Sequence, residues 1–114
     1  MFSNRGNQAG FKEVTVQQAQ EMLAKGEAVL IDVREPYEYV EVHAKDAQLI
    51  PLSTFPQHLA EIPQDKDVLL ICRSGARSAQ AAMFASQAGL KRLFNVQGGT
   101  LSWVQAKLPT EKGK

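Results

Sequence analysis

The chain has 114 residues, 44% of them hydrophobic, and a formal net charge of +1. That length supports one domain with a real core and is too short for two; acids and bases are interspersed, which removes the electrostatic case for a nucleic-acid or membrane-surface binder. A single cysteine excludes an internal disulfide, and no apolar stretch approaches membrane-spanning length.

Met1 to Gly10 is polar and rich in Gly and Asn, and reads as a flexible leader. It has no apolar signal-peptide core, so the expected compartment is cytoplasmic. Phe11 to Val14 predicts a short first strand. Thr15 and Gln18 have the spacing of a capping box, opening a helix whose apolar positions are Val16, Ala19, Met22 and Leu23 and which stops at Gly26. Ala28 to Val33 predicts a buried strand ending in the charged run Asp32-Val33-Arg34-Glu35-Pro36. Pro36 to Val42 suits a short helix with proline in its first turn. Gln48 to Leu52 is a weaker strand cut by Pro51, and Phe55 to Ile62 is a short helical piece between prolines.

Val68 to Ile71 is a continuous apolar run, the pattern of a strand buried on both faces of a parallel sheet. Ser78 to Ala88 holds five alanines and neither Gly nor Pro, and reads as a helix capped by Gly89. Arg92 to Val96 predicts the last strand. Gly98-Gly99 precedes a terminal helix reaching Lys107, Pro109 ends it, and residues 109–114 form a polar tail. Strands alternate with helices, so the expected class is α/β with a mostly parallel sheet in one domain, residues 11–108. Ligands of such sheets bind beyond the carboxyl ends of the strands, where Asp32/Arg34 and Cys72/Arg73 lie.

Between the apolar run and the Ala-rich helix stands Cys72-Arg73-Ser74-Gly75-Ala76-Arg77-Ser78. A tight strand-to-helix loop gathers backbone N–H groups and the positive helix end around its centre. A thiol is nucleophilic only as thiolate, and that setting with adjacent cations favours the thiolate. Gly75 permits a tight cradle, and Ser74 and Ser78 can donate hydrogen bonds. No residue has the look of a dedicated general base, so the activation is electrostatic. A lone cysteine after an apolar run is ordinarily a buried structural thiol. A core-filling thiol, however, has no need of two arginines, a glycine and two serines in the next six positions.

Three segments in this order resemble the rhodanese domain in its small single-domain sulfurtransferase form. They are Ile31-Asp32-Val33-Arg34-Glu35-Pro36 with Glu38-Tyr39, the loop from Cys72 to Ser78, and Asn95-Val96-Gln97-Gly98-Gly99 with Trp103. The resemblance runs from about Val14 to Trp103. It implies a five-stranded parallel sheet flanked by helices on both faces. It also implies a transferase of the thiosulfate sulfurtransferase type, in which Cys72 takes a sulfane sulfur from thiosulfate or a persulfide donor. The persulfide would lie in the cradle Arg73, Ser74, Gly75, Ala76, Arg77 and Ser78, with Arg73 and Arg77 attracting the anionic donor and holding the loop. Cyanide, a thiol or a thioredoxin-like protein would accept the sulfur, with no cofactor and no metal.

Two other readings stand beside it. A non-catalytic rhodanese-like binding module usually lacks the cysteine, which this chain keeps. Cysteine phosphatases of related fold carry a C-x5-R loop, and the C-x4-R spacing here is one residue shorter. In one stretch the chain departs from the family pattern: glycines and an asparagine around His43 and before Ile50-Pro51 are replaced, with Asp46 and Leu49 among the substitutes. That change bears on local turn geometry.

The remaining polar residues are assigned modest roles. Asp32 and Arg34 support the loop or form a structural ion pair. His43 is a structural hydrogen-bonding histidine, and His58 is assigned nothing. Two histidines and one cysteine at these spacings make no metal site. Gly98-Gly99 suits either a close backbone approach beside the pocket or, the preferred reading, a tight strand-to-helix connection, and Trp103 packs the core.

Overall fold

In the computed structural model, which describes residues 10–114, the apolar run is the middle strand of a five-stranded parallel sheet. The expected leader, apart from Gly10, lies outside the described residues. In chain order the elements are β1 (Lys12–Val14), α1 (Val16–Ala24), β2 (Ala28–Asp32), α2 (Pro36–Glu41), β3 (His43–Ala44), β4 (Gln48–Leu49), a 3-10 helix (Leu52–Glu61), β5 (Asp67–Ile71), α3 (Ala76–Gln87), β6 (Leu93–Val96), α4 (Gly99–Gln105) and β7 (Thr110–Glu111). The sheet order is β1-β6-β5-β2-β4.

Strand alternation sorts the core into two layers. Val68, Leu70 and Cys72 pack on one face with Phe55, Ala81, Ala82 and Ala85, while Leu69 and Ile71 pack on the other with Ala19 and Trp103. Side chains of successive residues point to opposite faces, so a strand covered on both sides must be apolar throughout. Leu69, Leu70 and Ile71 are fully buried. Trimming any of them to alanine would cost about 2–5 kcal/mol. Cys72 continues the alternation and emerges on the face covered by α3. The small side chains Ala81, Ala82 and Ala85 let that helix lie close to the sheet.

Local signals act as expected at several points. Thr15 Oγ1 accepts from the Gln18 N–H at 3.1 Å, and Gln18 Oε1 accepts from the Thr15 N–H at 2.8 Å, closing the capping box. Pro36 opens α2, and the Glu38 carboxylate accepts from the Glu35 N–H at 3.0 Å. Register places Asp32 beside Ile71, so the carboxyl ends of β2 and β5 finish side by side.

Elsewhere the structure differs from expectation. The segment between prolines is a ten-residue 3-10 helix with Pro56 inside it, where a missing N–H is incompatible with a regular α-helix. The Gln48 strand pairs over only two residues before Pro51. Residues 109–114 are more than a tail: β7 pairs antiparallel with β3, matching His43 to Glu111 and Ala44 to Thr110. The Pro109 carbonyl accepts from the Lys45 N–H at 3.0 Å and from Trp103 Nε1 at 2.7 Å.

That small sheet accounts for His43 and for the replaced glycine. His43 is buried, donates from Nδ1 to the Tyr39 carbonyl at 2.7 Å, and stacks on the Tyr39 ring at 3.6 Å between centroids. Its Nε2 lies 3.5 Å from Glu111. Asp46 occupies the left-handed region at φ 69°, a conformation asparagine and aspartate tolerate better than most side chains. Its N–H donates to Glu111 at 3.3 Å.

Candidate active site

The site begins where β5 stops. Cys72 is followed by a turn in which Gly75 takes φ 116°, open only to glycine without strain, and α3 starts at the next residue. This turns the Gly75 N–H onto the Cys72 sulfur at 3.1 Å. Ser78, in the first turn of the helix and fully buried, sets its hydroxyl oxygen 3.3 Å from the same sulfur. Burial pushes the Cys72 thiol up. The Ser78 hydroxyl and the N–H groups of Ser78, Gly75 and Ser74 outweigh it, and the net displacement is downward. The thiol is therefore biased toward thiolate chiefly by hydrogen bonds.

The two arginines of the loop have different surroundings. Arg77 makes a bidentate pair with Glu38 of α2, at 2.8 and 2.9 Å. That pair pulls the Glu38 carboxyl down to about 2, against burial and with help from the Glu35 N–H. Arg73 is exposed and makes no ion pair among the described residues. Both line an open cavity of about 1010 Å³ whose walls include Arg34, Glu38, Thr100 and Leu101. Cys72 is only 1% exposed and is not part of that lining, so an incoming molecule meets the arginines before the sulfur.

The loop is braced from behind by the start of α4. Cys72 O accepts from both the Thr100 N–H at 2.8 Å and its hydroxyl at 3.0 Å, and Arg73 O accepts from the Leu101 N–H at 3.1 Å. Gly99 makes this approach feasible. It has φ +57°, and a Cβ there would stand 2.5 Å from both the Cys72 and Arg73 carbonyl oxygens. Gly98-Gly99 is thus more than the tight connection expected, because the second glycine lets the chain back onto the cysteine loop.

Residues 15–106 match the rhodanese-like domain. The chain belongs to the rhodanese-like family. It is 39% identical over 98 residues to a sulfurtransferase of Allochromatium vinosum, covering 85% of this chain and 92% of that protein. It is 32% identical over 103 residues to the thiosulfate sulfurtransferase GlpE of Glaesserella parasuis, covering 90% of this chain and 95% of that protein. Among solved structures, a rhodanese-related protein of Thermoplasma volcanium superposes with a TM-score of 0.81 at 29% identity, covering 89% of this chain and 98% of that one.

Of the rhodanese loop residues singled out from the sequence, Ser74, Gly75 and Ser78 converge on the Cys72 sulfur. Ala76 opens the helix, and the side chains of Arg73 and Arg77 face the cavity instead. Asp32 and Arg34 form a buried ion pair at 2.8 Å, and Arg34 also donates to Val42 O at 2.7 Å. That pair ties the end of β2 to the end of α2, a structural part with one side chain on the cavity wall. Sequence reading passed over Glu38, Asn95 and Thr100. Glu38 and Asn95 lay inside the segments that carried the family resemblance, and their partners are distant in sequence.

Among the described residues no cluster of three His, Cys, Asp or Glu could hold a metal ion, and no helix is long and apolar enough to cross a membrane.

Proposed function

We propose that this protein is a cytoplasmic sulfurtransferase that carries a sulfane sulfur on Cys72 from thiosulfate or a persulfide donor to a thiophilic acceptor. The observation that carries the reading is the convergence of the Gly75 N–H and the Ser78 hydroxyl on a sulfur whose pKa is lowered. The thiosulfate-transferring relative supports the choice of donor.

Arg73, exposed at the cavity, attracts the anionic donor. Arg77, held by Glu38, fixes the opening of α3 and keeps positive charge beside the sulfur. The Cys72 thiolate attacks the outer sulfur of thiosulfate. A new S–S bond forms, the old one breaks, and sulfite leaves with its electron pair. The terminal sulfur then rests among the N–H groups of the loop. An acceptor nucleophile (cyanide, a small thiol or a thioredoxin-like protein) attacks that terminal sulfur, and the electron pair of the breaking bond returns to Cys72 as thiolate. The C-x4-R loop, with its cysteine retained, favours this over a phosphatase or a binding module.

Intact mass after incubation with thiosulfate, with and without later cyanide, tests the cycle. The expected result is a gain of one sulfur atom, removed by cyanide and absent in Cys72→Ser. Thiosulfate-to-cyanide transfer that survives Cys72→Ser would overturn the assignment. A folded protein with a free thiol that takes up sulfur from neither thiosulfate nor glutathione persulfide would shift the reading to a binding module.

A further inference from the structure

A polar chain runs from the edge of the sheet to the sulfur. Glu13 on β1 and Asn95 on β6 are register partners, and Asn95 Nδ2 donates to the Glu13 carboxylate at 3.0 and 3.2 Å. The same amide nitrogen lies 3.3 Å from the Gly75 carbonyl oxygen. Both neighbours only accept hydrogen bonds, so the Asn95 amide has one allowed orientation, with Oδ1 facing inward. There it lies 2.5 Å from Ser78 Oγ, which is also 3.3 Å from Cys72 Sγ.

The Ser78 hydroxyl has one hydrogen and two claimants. When Cys72 is a thiol, S–H donates to Ser78 Oγ, and Ser78 donates to Asn95 Oδ1, so every buried group is satisfied. When Cys72 is a thiolate, it attracts the Ser78 hydrogen, and turning that hydrogen to sulfur leaves the buried Asn95 oxygen without its donor. We propose that Asn95, aligned by Glu13, is a positioning residue that decides whether the Ser78 hydroxyl points at Asn95 or at the Cys72 sulfur. The inference deepens the sulfur-transfer reading and rests on it for its place in the cycle: with sulfur loaded, Sγ carries no charge and the hydrogen returns to Asn95. A thiolate held back in this way is also more nucleophilic once formed.

The charged groups around the sulfur set the background. They are Arg77 with Glu38, Arg34 with Asp32, the exposed Arg73, and Glu13 behind Asn95. A purely electrostatic effect of any of them acts on Cys72 whether or not Ser78 has a hydroxyl. The positioning effect needs that hydroxyl.

The experiment is a pH titration of the thiolate ultraviolet absorbance of the full chain, whose single cysteine makes the signal specific once a Cys72→Ser blank is subtracted. Asn95→Leu removes the competing acceptor and is expected to lower the midpoint by about half to one pH unit, the worth of one neutral hydrogen bond. Ser78→Ala is expected to raise it. In the Ser78→Ala background, Asn95→Leu is expected to leave the midpoint unmoved. Glu13→Gln, at an exposed edge position, gives a second arm should Asn95→Leu fold poorly. Its downward displacement is expected to be larger with Ser78 present than without. A rise in midpoint with Asn95→Leu, or displacements equal in both Ser78 backgrounds, would overturn the proposal. Sulfur loading followed by mass on the same variants separates the two readings. Loss of the Ser78-dependent pattern with loading intact refutes the positioning role alone. The pattern intact with no loading refutes sulfur transfer alone.

Discussion

Replacing Glu38 by glutamine should weaken the fold in a way that depends on pH, and the direction follows from the site. The Glu38 carboxyl titrates at about 2 instead of its ordinary 4.5, chiefly because Arg77 donates two hydrogen bonds to it. The span from 4.5 to about 2, at about 1.36 kcal/mol per pH unit, sets a ceiling of ~3.4 kcal/mol. Solvent screens part of this, since the Arg77 side chain is 33% exposed, which brings the contribution to about 1–2 kcal/mol. A carboxylate whose folded-state pKa is depressed stabilises fully above its unfolded value. That stabilisation is lost as pH falls from 4.5 toward 2. Urea unfolding at neutral pH should therefore show Glu38→Gln less stable by about 1–2 kcal/mol, and the gap should narrow steadily in acid and close near the folded-state pKa. A neutral-pH gap of less than about half a kcal/mol, or one that acid leaves unchanged, would refute the assignment of this ion pair as a stabilising clamp on the loop.

Two further outcomes test the division of labour around Cys72. Arg73→Ala should raise KM for thiosulfate about tenfold while changing kcat less than about threefold, and should flatten the salt dependence of KM, as expected for an exposed charge that attracts an anion without touching the reacting bond. Gly99→Ala places a methyl against two carbonyl oxygens at 2.5 Å in a left-handed conformation. Thermal unfolding should register a loss of at least about 2–3 kcal/mol, accompanied by reduced sulfur loading in the fraction that folds.

The parts legible in the sequence are those whose causes are local. Val68 to Ile71 announces a doubly buried strand by itself, and the Ala-rich segment announces its helix, although α3 starts earlier than expected, at Ala76. The Thr15 and Gln18 cap needs only its own four residues. What escaped were pairings made by distant parts of the chain. β3 and β7 have two residues each, too few for any periodicity, and exist because His43 meets Glu111. Glu38 and Arg77 are 39 positions apart, so the spacing within either segment says nothing of their bond. Family resemblance flagged the segments around Glu38 and Asn95 without saying what those side chains touch. Gly99 was visible as a glycine, but its reason, the carbonyls of Cys72 and Arg73, belongs to another loop.

The sheet order gives the site a position in the history of folding. β1 pairs with β6 alone, at one edge of the sheet. The Glu13–Asn95 contact closes a span of 82 positions, among the slowest kinds of contact for a chain to find. A chain that has assembled its central strands but not its edge already holds Cys72 in place, yet lacks the group that orients Asn95. On the positioning role proposed for Asn95, local opening of β1 at the sheet edge would release Asn95 from Glu13 and so alter the hydrogen bonding of the sulfur while the central strands stay in place.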